Sequence, residues 1–158
     1  MRSRPLNGPM PAPLLILYAT VSGNAEALAH AAAEQLGCGG YACVVANVAD
    51  FTTARLREFD VALLIVSTWG EGVPPPEAEA FFSAVENPDL AMGHLRYAVL
   101  ALGSSSYADF CAAGRWLDER LAERGAQRLL ARVDCDTKFR ADFQAWLARV
   151  EAVLKEAS

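Results

Sequence analysis

Three segments of the chain combine small polar residues in patterns that could bind a ligand. Residues 19–26 read ATVSGNAE, residues 67–73 read STWGEGV, and residues 102–111 read LGSSSYADFC. All three segments lack Lys and Arg, so any anion would have to be held by neutral hydroxyl, amide and backbone N–H donors. Two of the segments also carry one large aromatic residue each, which could cover a flat ring.

The first segment has the residue types of a phosphate-binding loop. Thr20, Ser22 and Asn24 offer side-chain donors, and Gly23 allows a tight turn that points several N–H groups at one spot. A helix that starts behind the loop favours an anion. The segment matches neither G-x-x-x-x-G-K-[ST] nor G-x-G-x-x-G, which argues against a nucleoside triphosphate with magnesium and against a dinucleotide. It predicts a terminal phosphate, with an ordinary helix cap as the alternative.

The second and third segments place Trp69 and Tyr107 a few residues after apolar runs. If both runs are strands of one sheet, the two rings lie at the same edge and could stack on both faces of a planar ring system. The alternative for each ring alone is that it covers the edge of the sheet. The coincidence with the first segment favours a ligand.

Apolar runs and helical patterns alternate along the chain, and they supply the elements that must position these loops. The apolar runs are short and bounded by turn residues, as in strands that are buried on both faces. We predict strands at Leu14–Ala19, Ala42–Val48, Val61–Ser67, Tyr97–Gly103 and, more weakly, Arg128–Val133. We predict helices at Ala25–Leu36, Pro76–Glu86, Cys111–Gly125 and Phe139–Ala157, and irregular helical turns between the second and third strands.

This alternation predicts an α/β fold, a doubly wound parallel sheet of five strands between two helical layers. Residues 14–158 would form one domain, preceded by a flexible tail over residues 1–13, which holds four of the chain's eight prolines. Ligands of such sheets bind beyond the carboxyl ends of the strands, where the strand order reverses. All three polar segments follow strands at that edge.

Composition narrows the class of protein. Of the 158 residues, 53% are hydrophobic, and the formal net charge is −5, which argues against nucleic acid and membrane partners and for a basic partner. The four cysteines form no C-x-x-C pair, which predicts buried thiols in a reducing compartment. The two histidines lie far apart in the sequence, so we expect no metal site. We find no signal sequence or membrane span and expect a cytoplasmic protein.

The segments TVSGNAE, STWGEGVPP and LGSSSYADFCAAG, followed by RVDCD, resemble the flavodoxin-like family in order and spacing. The closest likeness is to flavodoxins and to the FMN domains of diflavin reductases, especially the sulfite reductase flavoprotein. The resemblance implies the strand order 2-1-3-4-5, for which flavodoxin is itself the standard example, and FMN as the cofactor. The cofactor-binding residues that it implies are Thr20, Val21, Ser22, Gly23, Asn24, Ala25, Ser67, Thr68, Trp69, Gly70, Leu102, Gly103, Ser104, Ser105, Ser106, Tyr107, Asp109, Phe110 and Cys111.

The resemblance also implies a function, which is to shuttle single electrons through the flavin semiquinone between a reductase and an acceptor protein. In the family, the peptide after the second-loop aromatic residue turns its carbonyl toward flavin N5, a place that Gly70 occupies here. Acidic residues would surround the ring, namely Glu71, Asp109, Asp134 and Asp136. The sequence departs from its relatives at Ser104, where Asp or Asn is common, and at Val21 and Val73, which replace polar or acidic residues.

Such a carrier would receive electrons from a flavin reductase module and pass them to an unknown acceptor, and we expect a monomer. It would not be a complete enzyme by itself, although it could be one domain of an NADPH-dependent diflavin oxidoreductase. An FMN-dependent quinone or small-molecule reductase on the same fold remains the main alternative, and a non-redox binding module is a third. Serine hydrolysis is poorly supported because GSSSY does not match G-x-S-x-G.

Overall fold

The computed structural model describes residues 13–68, 74–104, 106 and 111–156. Its strands are β1 (Leu14–Ala19), β2 (Cys43–Asn47), β3 (Val61–Ser67), β4 (Arg96–Leu102), β5 (Gln127–Arg128) and β6 (Val133–Cys135). Its helices are α1 (Asn24–Cys38), α2 (Glu79–Val85), α3 (Ala112–Glu123) and α4 (Arg140–Glu156). Three short 3-10 helices lie at Val48–Asp50, Thr53–Glu58 and Pro76–Ala78 of the described residues.

The strands form one parallel sheet in the order β2-β1-β3-β4-β5, with β6 also paired to β4. Every residue of β1 and β3 is buried, whereas every residue of β2 is half-buried. This difference follows from position, because β1 and β3 lie in the centre of the sheet and β2 lies at its edge. The predicted doubly wound sheet and its strand order are confirmed.

The fifth strand position differs from the prediction. Instead of one strand over Arg128–Val133, two short segments pair with β4, Arg128 opposite Tyr97 and Val133 opposite Leu100. Three steps along β4 therefore correspond to five steps along its partner. Leu129 still donates its N–H to Tyr97 O at 2.7 Å, and the chain then bulges away from β4 over residues 130–132. The prediction of one continuous strand was wrong. An apolar run in the sequence does not show that the chain holds two more residues than β4 between its two paired segments.

The helices differ from the predictions mainly at their ends. Helix α1 continues past Gly37 to Cys38, and the chain then turns through Gly40, whose φ of 96° is the left-handed conformation that glycine adopts readily. The segment that begins at Pro76 opens with a 3-10 turn before α2. The irregular turns predicted between the second and third strands are present as two 3-10 segments.

Alternate residues of each strand face two separate hydrophobic clusters, one on each side of the sheet. Leu15 and Leu17 pack with α2 and α3, whereas Leu14 and Ile16 pack with α1 and α4. This period of two is the pattern expected of strands covered by helices on both faces. The three-layer architecture leaves the carboxyl edge of the sheet as the surface on which the predicted loops begin.

The cysteines only partly match the prediction of buried thiols. All four are free, and Cys111 and Cys135 are buried, but Cys43 is half-buried and Cys38 is exposed at the end of α1. Cys38 is the last residue of α1 and is exposed, which the amino-acid composition could not indicate. Among the described residues, no helix is long and apolar enough to cross a lipid bilayer.

Candidate functional site at the carboxyl edge of the sheet

The three predicted loops begin side by side at one edge of the sheet. The last residue of β1, Ala19, is opposite Val66 in β3, and the last residue of β3, Ser67, is opposite Leu102 in β4. Neighbouring strands lie about 4.8 Å apart. Thr20, Thr68 and Gly103, the residues that follow these strand ends, are therefore brought together as the sequence predicted.

The first loop turns sharply through Gly23, which has a φ of 89° and no heavy atom within 4 Å of the place where a Cβ would stand. Its N–H donates to Thr20 Oγ1 at 2.9 Å, so the Gly23 N–H is satisfied inside the loop. Helix α1 then begins at Asn24 with no side-chain cap. The first turn of α1 thus opens toward solvent, with backbone donors that have no intrahelical acceptor.

The residues of this loop offer their groups in different ways. The side chains of Val21, Ser22 and Asn24 are exposed, and Val21 has 46% of its surface accessible. The Ala25 side chain, in the first turn of α1, is fully buried in the hydrophobic core, so only its N–H can face a ligand. The loop therefore combines exposed side chains, of which Ser22 and Asn24 are polar, with backbone donors at its base.

The second loop is anchored by its first two residues. Ser67 is buried, and Thr68 donates its N–H to Leu102 O at 3.0 Å, which extends the pairing of β3 with β4. Thr68 Oγ1 in turn accepts a hydrogen bond of 3.1 Å from the N–H of Ala113, in the first turn of α3. Trp69 and Gly70, the predicted flavin-facing residues, and Glu71 lie outside the described residues.

The third loop leaves the sheet at Gly103 and returns at Cys111, and these two residues are in contact. A Cβ added at Gly103 would stand 2.8 Å from Cys111 N, so the approach requires glycine. Ser104 Oγ and Ser106 Oγ lie 2.6 Å apart at the start of the loop. Leu102 and Cys111 have buried side chains and can reach a ligand only through the main chain. The predicted residues Ser105, Tyr107, Asp109 and Phe110 lie outside the described residues.

A family model described as Flavodoxin matches residues 16–146, a span that contains all of these loops. The chain belongs to the flavodoxin family. Among curated relatives, it is 40% identical over 145 residues to the sulfite reductase [NADPH] flavoprotein alpha-component of Bacillus subtilis. It is 39% identical over 147 residues to the corresponding component of Neisseria meningitidis serogroup B.

The curated relatives and the solved structures differ in how much of their own length matches this chain. The match takes in 90% of this chain and 24% of the Bacillus subtilis protein, and 92% and 24% in the Neisseria case, so the chain spans about a quarter of these relatives. A flavodoxin of Streptococcus pneumoniae TIGR4 superposes with a TM-score of 0.81 at 25% identity, covering 92% of this chain and 99% of that one. Oxidised flavodoxin 2 of Bacillus cereus gives a TM-score of 0.75 at 31% identity, with 92% and 99% coverage.

This flavodoxin-family chain is an FMN-binding electron-transfer domain, and its geometry suits that cofactor. The uncapped first turn of α1 and the Gly23 turn form a cradle of neutral donors that fits a phosphate monoester. The bases of the second and third loops lie on the neighbouring strands, where a ring attached to that phosphate could extend. The three loop segments contain no Lys or Arg, and this is compatible with the fit because backbone N–H groups can carry much of the phosphate binding.

The electrostatics of the third-loop side include a charge cluster that the sequence prediction missed. The carboxylate of Asp118, buried in α3, accepts hydrogen bonds from Arg128 Nε at 2.9 Å and from Arg132 Nη1 at 3.2 Å. Arg132 also binds Asp134 through two contacts, at 2.7 and 3.3 Å. Asp134 was predicted to contribute negative charge near the flavin, but Arg132 offsets that charge.

The buried thiol of Cys111 completes the floor beneath the third loop. Cys111 Sγ lies 3.4 Å from Ala101 O and 3.5 Å from Cys135 O, so one thiol proton is shared between two carbonyls. Burial, with help from the negative charge of Asp134, raises the pKa of Cys111 to about 12. The group remains a neutral thiol at physiological pH and can act as a donor but not as a nucleophile.

Proposed function

We propose that this domain carries electrons one at a time between a flavin reductase module and an acceptor protein, as one part of an NADPH-dependent diflavin system or as a free carrier. The observation that carries the proposal is the meeting of an uncapped helix terminus with the bases of two further loops at one edge of the sheet. When bound there, FMN supplies redox chemistry in single-electron steps. The similarity to sulfite reductase flavoprotein components supports a reductase as donor.

The chain's own residues have distinct roles in this proposal. Thr20, Ser22 and Asn24, with the N–H groups of Asn24 and Ala25, hold the phosphate. Trp69 and Tyr107 cover the two faces of the ring, and Gly70 presents a carbonyl to it. The main chain of residues 102–111 lines the third side. These roles rest on the family resemblance and on the positions of the loop bases.

The net charge of −5 supports a basic surface on the partner, since opposite charge speeds the encounter of redox proteins. Ser104 and the Arg132–Asp134 pair both reduce negative charge beside the third loop. We therefore propose a less negative potential than in relatives with an acidic residue at position 104. We also propose that the domain is monomeric and cytoplasmic.

The test is anaerobic reduction of the FMN-loaded protein, followed by absorbance. NADPH alone is expected to leave the flavin oxidised, whereas NADPH with a catalytic amount of a flavin reductase is expected to reduce it. The reduced protein should then reduce cytochrome c, a one-electron acceptor. Rapid reduction by NADPH alone, with turnover of a quinone, would instead establish the small-molecule reductase.

A second measurement distinguishes the electron carrier from a binding module without redox activity. The purified protein is mixed with FMN, and the quenching of FMN fluorescence is titrated. Saturable quenching with one FMN per chain is expected. A protein that leaves FMN fluorescence unchanged would show that the cleft serves another ligand.

A further inference from the structure

Helix α3 begins without a cap from its own sequence. Its N-cap residue, Cys111, has a left-handed backbone (φ 56°, ψ 24°) and makes no side-chain cap hydrogen bond. Its thiol is turned instead toward Ala101 O and Cys135 O in the floor of the sheet. The backbone donors of the first turn of α3 must therefore find acceptors elsewhere.

One of these donors is satisfied from a distant part of the chain. The N–H of Ala113 donates to Thr68 Oγ1 at 3.1 Å, across a sequence separation of 45 residues. The N–H of Thr68 is held at the same time by Leu102 O at 3.0 Å. Thr68 thus binds β4 through its backbone and α3 through its hydroxyl, immediately before Trp69.

The hydrogen bond from Ala113 to Thr68 lies beside the place where the two ends of the third loop, Gly103 and Cys111, come into contact, which we call the loop neck. Gly103 N donates to Cys135 O at 3.0 Å, and the Cys111 thiol approaches the same carbonyl at 3.5 Å. Both ends of the third loop therefore bind Cys135 in β6. The end at Cys111 lies two residues before Ala113. A displacement of Thr68 would act on the second loop directly and on the third loop through α3.

We propose that Thr68 is a positioning residue that joins the second and third loops, so that the two sides of the flavin site are held at a fixed spacing. This inference rests on the proposed placement of FMN between those loops. The Thr68 hydroxyl oxygen faces Ala113 N–H and acts through α3. Loss of the hydroxyl lets the loops separate, and the flavin must then restore their spacing when it binds.

The experiment compares Thr68→Val, which keeps the branched shape but removes the hydroxyl, with Thr68→Ser, which keeps the hydroxyl. Thr52→Val is the matched control, because Thr52 is exposed at a 3-10 turn and makes no side-chain cap hydrogen bond. The dissociation constant for FMN is measured by fluorescence quenching, and apoprotein stability by urea unfolding. We expect the dissociation constant to rise about fivefold to tenfold in Thr68→Val and to stay within about twofold in Thr68→Ser and Thr52→Val.

Hydrogen exchange of the Ala113 amide is measured relative to core amides of β1, because FMN binding slows exchange through global unfolding at all core amides and only an additional effect at Ala113 reports the coupling. Coupling between sites is reciprocal, so FMN binding should slow exchange at Ala113 in the wild type and lose that effect in Thr68→Val. Equal exchange in wild-type apoprotein and holoprotein would overturn the proposal, even if Thr68→Val did not fold.

The outcomes separate this inference from the proposed function. A Thr68→Val protein that loses stability but binds FMN with wild-type affinity would show that Thr68 is only a helix cap, and the coupling proposal would fall alone. A wild type that does not bind FMN would overturn both the flavin site and the coupling. A wild type that binds FMN but accepts no electrons from a reductase would remove only the proposed function.

Discussion

Helices α1 and α3 begin at the same edge of the sheet, and each is preceded by a residue with a left-handed backbone. Before α1 that residue is Gly23, with open space around it, and the first helical turn has no side-chain cap. Before α3 it is Cys111, fully buried, and Thr68 reaches across from another loop to bind the helix. The chain therefore leaves the terminus of α1, the open terminus, available to a ligand and satisfies an N–H group of the terminus of α3, the closed terminus, with a side chain of its own.

The comparison shows that the same backbone chemistry can serve binding or structure, depending on what faces it. An unsatisfied helix terminus attracts an anion because its N–H groups and the helix dipole both favour negative charge. A terminus with an N–H group that binds a side chain of the protein is instead held in place by that side chain. Each substitution below changes one of the two termini and leaves the other intact.

The largest expected effect is at the closed terminus, in Gly103→Ala. The new Cβ would stand 2.8 Å from Cys111 N, a backbone atom that cannot move without opening the loop neck. We expect the free energy of unfolding to fall by about 1–3 kcal/mol, as for overpacked cores, measured by urea unfolding of the apoprotein. Gly93→Ala is the control, since no atom lies within 4 Å of its added Cβ. Equal stability of the two variants would contradict the tight neck.

The next effect is at the open terminus, in Gly23→Ala. The added methyl group meets no atom within 4 Å, but the φ of 89° is unfavourable for any residue with a Cβ. We expect a loss of about 1–2 kcal/mol from backbone strain alone, together with weaker FMN binding. Gly23→Asn should recover part of both losses, because Asn tolerates the left-handed conformation better than Ala does. If Ala and Asn behaved alike, strain would not be the cause.

A smaller effect is expected for Thr20→Val, which removes the acceptor of the Gly23 N–H at 2.9 Å. The apoprotein should lose about 1 kcal/mol, the ordinary contribution of one hydrogen bond. The dissociation constant for FMN should rise about tenfold, because the loop loses its preformed turn as well as a hydroxyl. Thr20→Ser should bind FMN nearly as well as the wild type. A Val variant that bound FMN as tightly as the wild type would show that the hydroxyl is not needed.

The smallest effect is expected from labelling the cysteines of the native holoprotein with a thiol reagent at pH 8. Burial raises the pKa of Cys111 and of Cys135 to about 12, so only about one in 10,000 of these thiols is ionised. Exposed Cys38 should react first, without loss of FMN, whereas Cys111 and Cys135 should react only on unfolding. Fast labelling of Cys111 in the native state would show that the closed terminus opens.

Local patterns were sufficient for the central strands and for the place of the loops. Continuous apolar runs gave β1 and β3 with the observed bounds, since strands in the centre of a parallel sheet need apolar residues on both faces. The loop compositions and the family resemblance pointed to the carboxyl edge. Membership of the flavodoxin family confirms the cofactor, while the assignment of individual site residues stays a prediction.

The features that were missed depend on contacts between distant residues. No local pattern indicates that the Thr68 hydroxyl binds a helix 45 residues further along, or that Cys111 takes a left-handed conformation, which glycine usually adopts. The Asp118 cluster was missed for the same reason, although a carboxylate on the apolar face of a helix is a usable signal for a buried ion pair.

Strand β2 has a consequence for how this domain behaves in concentrated solution. It is five residues long, CVVAN, half-buried throughout, and among the described residues it pairs only with β1. Its outer side offers unpaired backbone groups next to valine side chains and no charge, which is a template for joining another strand. Self-association during purification should therefore begin at this edge.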